Sequence, residues 1–195
     1  MIAIIDYGMG NIRSVGNALR RLGAEYLLTA DADEIRSADR VILPGVGHCG
    51  EAMAKLRESG LCETIIDLRR PVLGICVGMQ LMCRHTDEGD AECLGIFDTD
   101  VVRFAQTDDL KVPHMGWNSI SNIDGKLFKN IRSGEYMYYV HSYYAGLCSD
   151  TIATTRYGET MFSAALKYEN FYGTQFHPEK SGDAGECVLN NFLKL

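Results

Sequence analysis

Two glycines bracket a cysteine in Gly74-Ile75-Cys76-Val77-Gly78, directly after the apolar run Val72-Leu73 and just before the helix-like stretch Met79-Gln80-Leu81-Met82. A chain that passes from strand to helix in so few residues must turn sharply, and glycine permits such a turn. The cysteine is then held in a strained conformation above the sheet edge, at a helix N-terminus where negative charge is favoured. This is the layout of a nucleophile elbow. A buried cysteine between two turn glycines has the same local sequence, so the pattern does not establish chemistry by itself.

A second element lies far downstream. Gln175-Phe176-His177-Pro178-Glu179-Lys180 sets a histidine and a carboxylate on either side of a proline. Alternate residues of an extended chain point the same way, and proline biases its neighbour toward extended geometry, so Glu179 is expected to reach back to the His177 ring. Alone, this would be a surface turn with an ion pair. With the elbow it supplies, in chain order, a nucleophile (Cys76), a base (His177) and an orienting acid (Glu179). Acyl transfer also requires oxyanion donors. Pro44-Gly45-Val46-Gly47 can bring backbone N–H groups close to Cys76, and the N–H of Val77 is a second donor.

At 195 residues the chain suits one domain, 1–195, a length that buries roughly 70% of the unfolded surface. Ile2-Ala3-Ile4-Ile5 reads as a buried strand, 11–22 as an amphipathic helix, 26–28 and 40–43 as strands, and 51–58 and 61–69 as helices. A further strand then enters Cys76. Alternating strands and helices imply a parallel sheet. Past Ile96 the pattern changes to extended runs with turn signals. Strands at 152–157, 161–168 and 171–176 are expected to form a meander that delivers His177, before a last helix at 184–193. The expected fold class is therefore α/β: a mixed, mostly parallel central sheet flanked by helices, with an antiparallel extension in the second half. In such sheets the site lies beyond the carboxyl ends of the strands.

Composition narrows the function. A net charge of −7 disfavours nucleic acid or an anionic membrane as partner. Apolar runs fall short of the roughly 20 residues that span a bilayer, and the strand pattern begins at the first residues, so a cytoplasmic protein without a signal peptide is expected. Seven cysteines without a Cys-x-x-Cys pair point to reduced thiols rather than disulfides or zinc, and no metal or cofactor is expected. Gly8-Met9-Gly10 hints at a dinucleotide loop, but Arg13 occupies the place of the third glycine, and that reading leaves Cys76 and His177-Pro178-Glu179 unexplained. His48, His85, His114 and His141 are read as structural. The tyrosines from Tyr136 to Tyr144 read as a strand packed on both faces, with no interleaved basic residues for base stacking.

The elbow together with His177-Pro178-Glu179 resembles the class I glutamine amidotransferases. Lys111-Val112-Pro113-His114-Met115-Gly116-Trp117-Asn118, Tyr139-Val140-His141-Ser142-Tyr143-Tyr144 and Gly8-Met9-Gly10-Asn11-Ile12 are similar to the branch that serves imidazole glycerol phosphate synthases in histidine biosynthesis. The resemblance implies L-glutamine as substrate, hydrolysed through a cysteinyl thioester, and Val46 and Val77 as oxyanion donors. It also implies substrate contacts at Gly45, Gly47, Gln80, Glu88, Ser142 and Tyr143. Met9, Asn11, Trp117, Tyr138 and Lys180 are implied at an interface with a (β/α)₈-barrel cyclase subunit in a heterodimer. Because no ammonia-using domain follows within the chain, the acceptor enzyme is expected on a separate one. Alternatives are the glutaminase subunit of another synthase, such as that for pyridoxal phosphate or anthranilate, and a non-catalytic subunit with an allosteric role.

Overall fold

The apolar runs of the first half form the middle of a sheet. In the computed structural model, which describes residues 1–105 and 110–195, β1 (Ile2–Ile5), β2 (Tyr26–Thr29), β3 (Arg40–Gly45) and β4 (Val72–Cys76) are parallel. β1 and β4 are buried at every position, as strands covered on both faces must be. Between them run α1 (Ile12–Arg21), α2 (Ala32–Ser37), α3 (Cys49–Glu58) and α4 (Cys62–Ile66), and α5 (Val77–Leu81) follows β4 without a break. In α1 the buried Val15, Ala18 and Leu19 share one face, and Arg20 and Arg21 sit in the last turn, favourable to the helix dipole.

The second half builds three structures. β5 (His85–Thr86), β6 (Ala91–Glu92) and β7 (Asp100–Arg103) begin a small sheet; β8 (His114–Ser119) and β9 (Tyr136–His141) form an antiparallel ribbon; β10 (Tyr143–Ala145) returns to pair with β7. β11 (Thr151–Tyr157), β12 (Thr160–Tyr168) and β13 (Phe171–Thr174) are the expected meander, and α6 (Gly182–Phe192) follows. The main sheet has seven strands in the order β11-β12-β13-β4-β3-β1-β2, with β13 parallel to β4. Among the described residues no helix is long and apolar enough to cross a membrane.

Some expectations need correction. The strand expected to run through Phe176 ends at Thr174. The tyrosine-rich strand β9 is not packed on both faces: Met137, Tyr139 and His141 are buried, whereas Tyr136 is exposed and Tyr138 and Val140 are half-buried. A two-stranded ribbon laid on the core buries only one face, so alternate residues stay outside.

Register then sets the location of the site. Gly45 pairs with Cys76, and Thr174 pairs with Ile75. The segments after β3, β4 and β13 therefore emerge side by side at the carboxyl ends of adjacent parallel strands.

Candidate active site

Cys76 ends β4 and caps α5 with φ 54° and ψ −111°, a region natural to glycine and strained for any other residue. The surrounding glycines allow it. A Cβ on Gly78 would lie 1.9 Å from the Leu43 carbonyl oxygen, and one on Gly45 would lie 2.4 Å from the Gly78 nitrogen. Backbone from β3 thus packs directly on the elbow, where no side chain fits.

His177 and Glu179 meet as expected, with Nδ1 2.9 Å from Oε1 and both side chains buried. The local geometry is different from the extended pair read in the sequence. His177 is extended, but Pro178–Lys180 forms a 3-10 turn that folds Glu179 back onto the ring. Ser181 Oγ donates to the His177 carbonyl at 2.6 Å and accepts from the Tyr138 N–H at 2.9 Å, while the His177 N–H donates to the Tyr138 carbonyl at 2.9 Å. The segment is therefore pinned to the ribbon. His177 Nε2 has no hydrogen-bond partner among the described residues. Burial is the largest influence on this ring and pulls its pKa down, but the adjacent Cys76 sulfur and then the Glu179 carboxylate favour the imidazolium and lift it to about 10.

Cys76 and His177 line a pocket of about 430 Å³ with Val46, Gly47, Val77, Gln80, Glu88, Ser142 and Tyr143, all singled out in the sequence. Gly45 is not among the lining residues; its place is in the packing against Gly78. Gln80 is buried, its Nε2 donating to the Tyr143 carbonyl and to Gln175 Oε1, each at 3.0 Å. Glu88 is not a free loop charge. Its Oε2 accepts from the Cys49 N–H at 2.7 Å, at the start of α3 where the helix dipole favours an anion.

The sequence did not single out Pro113 and Val140 as lining residues, and it read His141 as structural. His141 Nδ1 lies 2.7 Å from the Tyr143 carbonyl and so donates to it, and its Nε2 lies 2.9 Å from His114 Nδ1. Burial first of all lowers both rings, His141 to about 3 and His114 to about 4, so both are neutral. Among the described residues no three His, Cys, Asp or Glu side chains gather as a metal-ligand set.

The residues implied at an interface divide. Trp117 is 56% exposed, its ring edge-on to Tyr138 at 6.0 Å between centroids, and Lys180 Nζ lies 5.7 Å over Tyr138 while also lining the pocket. Met9 is half-buried and packs by Gly47, where a Cβ would lie 3.5 Å from its Cε. Asn11 caps α1, its Oδ1 accepting from the Ser14 N–H at 3.4 Å.

The description "Glutamine amidotransferase class-I" matches residues 3–195. The imidazole glycerol phosphate synthase subunit HisH of Bacteroides thetaiotaomicron is 55% identical over 195 residues, covering 100% of this chain and 99% of the relative. The protein of the same name from Shewanella loihica is 44% identical, covering 98% and 89%. A solved structure of a GMP synthase protein from Thermoplasma acidophilum has the same fold, with a TM-score of 0.76 at 24% identity over 99% of this chain and 92% of that one. With the elbow, the His177–Glu179 pair and the shared pocket already in place, these likenesses are decisive: the chain belongs to the class I glutamine amidotransferase family, among the imidazole glycerol phosphate synthase subunits HisH.

Proposed function

We propose that the chain is the glutaminase subunit of an imidazole glycerol phosphate synthase, hydrolysing L-glutamine and passing ammonia to a cyclase subunit with a (β/α)₈ barrel in a cytoplasmic heterodimer. The observation that carries the reading is the bonded His177–Glu179 pair beside a cysteine at φ 54° in one pocket. His177 holds the proton from Cys76, and the thiolate attacks the side-chain carboxamide carbon. The carbonyl oxygen becomes an oxyanion that rests on the amides of Val46 and Val77. His177 gives its proton to the leaving nitrogen, ammonia departs and a glutamyl thioester remains. Water, deprotonated by His177, then attacks the thioester; glutamate leaves and Cys76 is restored. Gln80, Glu88, Ser142 and Tyr143 hold the amino-acid end of the substrate, while Gly47 keeps the approach open.

The acceptor docks on the ribbon face that carries Trp117 and Tyr138, beside Lys180, with Met9 and the α1 start at Asn11 at its margin. Support comes from the exposure of Trp117 and from the backbone bonds that tie Tyr138 to His177. The test is ammonia release from glutamine by the chain alone, with the cyclase subunit, and with its nucleotide substrate added. Glutamine-dependent synthesis by the pair supports the reading; no release under any of the three conditions overturns it.

A further inference from the structure

Behind the nucleophile lies a chain of hydrogen bonds whose direction is fixed at its far end. The Tyr143 carbonyl can only accept, and it receives His141 Nδ1 at 2.7 Å and Gln80 Nε2 at 3.0 Å. This orients the Gln80 amide, whose Nε2 also donates to Gln175 Oε1 at 3.0 Å. With its oxygen engaged, Gln175 presents its NH₂ group to Cys76, with Nε2 3.7 Å from Sγ. An amide's orientation follows from its hydrogen-bond network, and here the Gln80 NH₂ group has two acceptors and the Gln175 oxygen has a donor. Gln80 is 2% exposed and Gln175 fully buried, so solvent does not compete for either amide. The register of β13 on β4, with Thr174 opposite Ile75, is what sets Gln175 next to Cys76.

We propose that Gln175 is a further catalytic residue, whose Nε2–H bonds the Cys76 sulfur, favours the thiolate over the thiol and fixes the direction from which the sulfur attacks. The inference rests on the glutaminase reading above. No proton passes through Gln175: the thiol proton goes to His177, and the amide keeps both of its own. Donor bonds to a charged atom are stronger than neutral ones, and losing one changes the relevant equilibrium by roughly 10- to 100-fold.

Two variants test this in the complex with the cyclase subunit. Gln175→Met keeps the length and removes the donor, and Gln175→Leu removes the donor with a branched apolar side chain. The first measurement is the rate at which iodoacetamide alkylates Cys76 at fixed pH, located by peptide mapping, which needs no glutamine. The second is kcat and KM for glutamine. Alkylation of Cys76 and kcat are both expected to fall roughly tenfold or more, with KM within about threefold. A packing defect would instead open the pocket and speed alkylation. Should the Met variant fail to assemble, as judged by sedimentation with the cyclase subunit, the Leu variant carries the test. Alkylation that is unchanged or faster overturns the inference, whatever kcat does. A wild-type complex without glutaminase activity overturns the glutaminase reading instead, and the alkylation arm still decides whether Gln175 bonds the sulfur.

Discussion

At Cys76 the residue and its backbone conformation are in conflict. A non-glycine residue at φ 54°, ψ −111° carries strain of roughly 1–3 kcal/mol. Glycine would relieve it, less the roughly 0.5–1 kcal/mol that glycine's extra freedom in the unfolded chain costs. Cys76→Ala keeps the strain and Cys76→Gly removes it, while both delete the sulfur. The glycine variant should therefore be the more stable of the two by about 1 kcal/mol in urea unfolding, with neither releasing ammonia from glutamine. An alanine variant of equal or higher stability would hold the strain at the elbow to no more than about 0.5–1 kcal/mol, the cost of glycine's freedom. At Gly78 the opposite change is informative. Gly78→Ala forces a methyl to 1.9 Å from the Leu43 carbonyl oxygen, backbone that cannot rotate away, and should destabilise by about 3 kcal/mol or prevent folding. Residues of this kind were legible in the sequence because glycine and proline flank reactive side chains. Gln80 and Gln175 were less so, since nothing local marks a glutamine as buried when its partners come from distant segments.

The β8–β9 ribbon joins the pocket to the surface, and its inner face carries two titratable rings. His114 and His141 bond each other, and burial holds them near 4 and 3. An unfolded histidine takes a proton at about 6.5. As pH falls below that value the unfolded chain binds protons that the folded chain refuses. The stability from these rings is thus fully present above about pH 6.5 and is lost as pH falls toward their folded values. His177 has the opposite sign: its contribution is full below about 6.5 and fades as pH rises through about 10, so it adds no slope on the acid side. Unfolding free energy should fall between pH 6.5 and 5 with a slope approaching at most about 2.7 kcal/mol per pH unit, the limit for two protons. His114→Gln should remove up to half of that slope; denaturant curves at several pH values decide it, and an unchanged slope would mean that His114 titrates normally in the fold. Elements of this second half were the hardest to read from the sequence. β5 and β6 are two residues each, too short for any periodicity, and the small sheet closes only when β10 pairs with β7 from far along the chain. α2 does carry a sequence signal: Asp31 caps it, accepting from the N–H groups of Asp33 and Glu34 at 2.8 and 3.0 Å. β1, β3 and β4 were plain because burial on both faces leaves continuous apolar runs.

For the whole molecule, the question is how the pocket communicates with a partner. The His177 N–H and the Ser181 hydroxyl are bonded to the backbone of Tyr138, and Trp117 lies opposite Tyr138 in the ribbon register. A partner pressing on that face therefore bears on strand backbone that holds the base directly, with no intervening loop. Trp117 is the test residue because it is 56% exposed, so its contribution to the core is small. Trp117→Ala should shift the unfolding free energy by no more than about 0.5 kcal/mol. At an interface, a tryptophan of this kind is typically worth about 2 kcal/mol or more, and its loss should weaken binding of the cyclase by roughly 30-fold or more. Ammonia made by a loosened pair escapes, so glutamine consumed per imidazole product should rise above parity while synthesis from added ammonia persists. The measurements are sedimentation or calorimetric titration for affinity, paired assays of glutamate and nucleotide product for coupling, and urea unfolding for the isolated chain. Large destabilisation of the chain with unchanged affinity would place Trp117 in the fold rather than at the interface. Unchanged affinity and parity with normal stability would move the docking face away from the ribbon altogether.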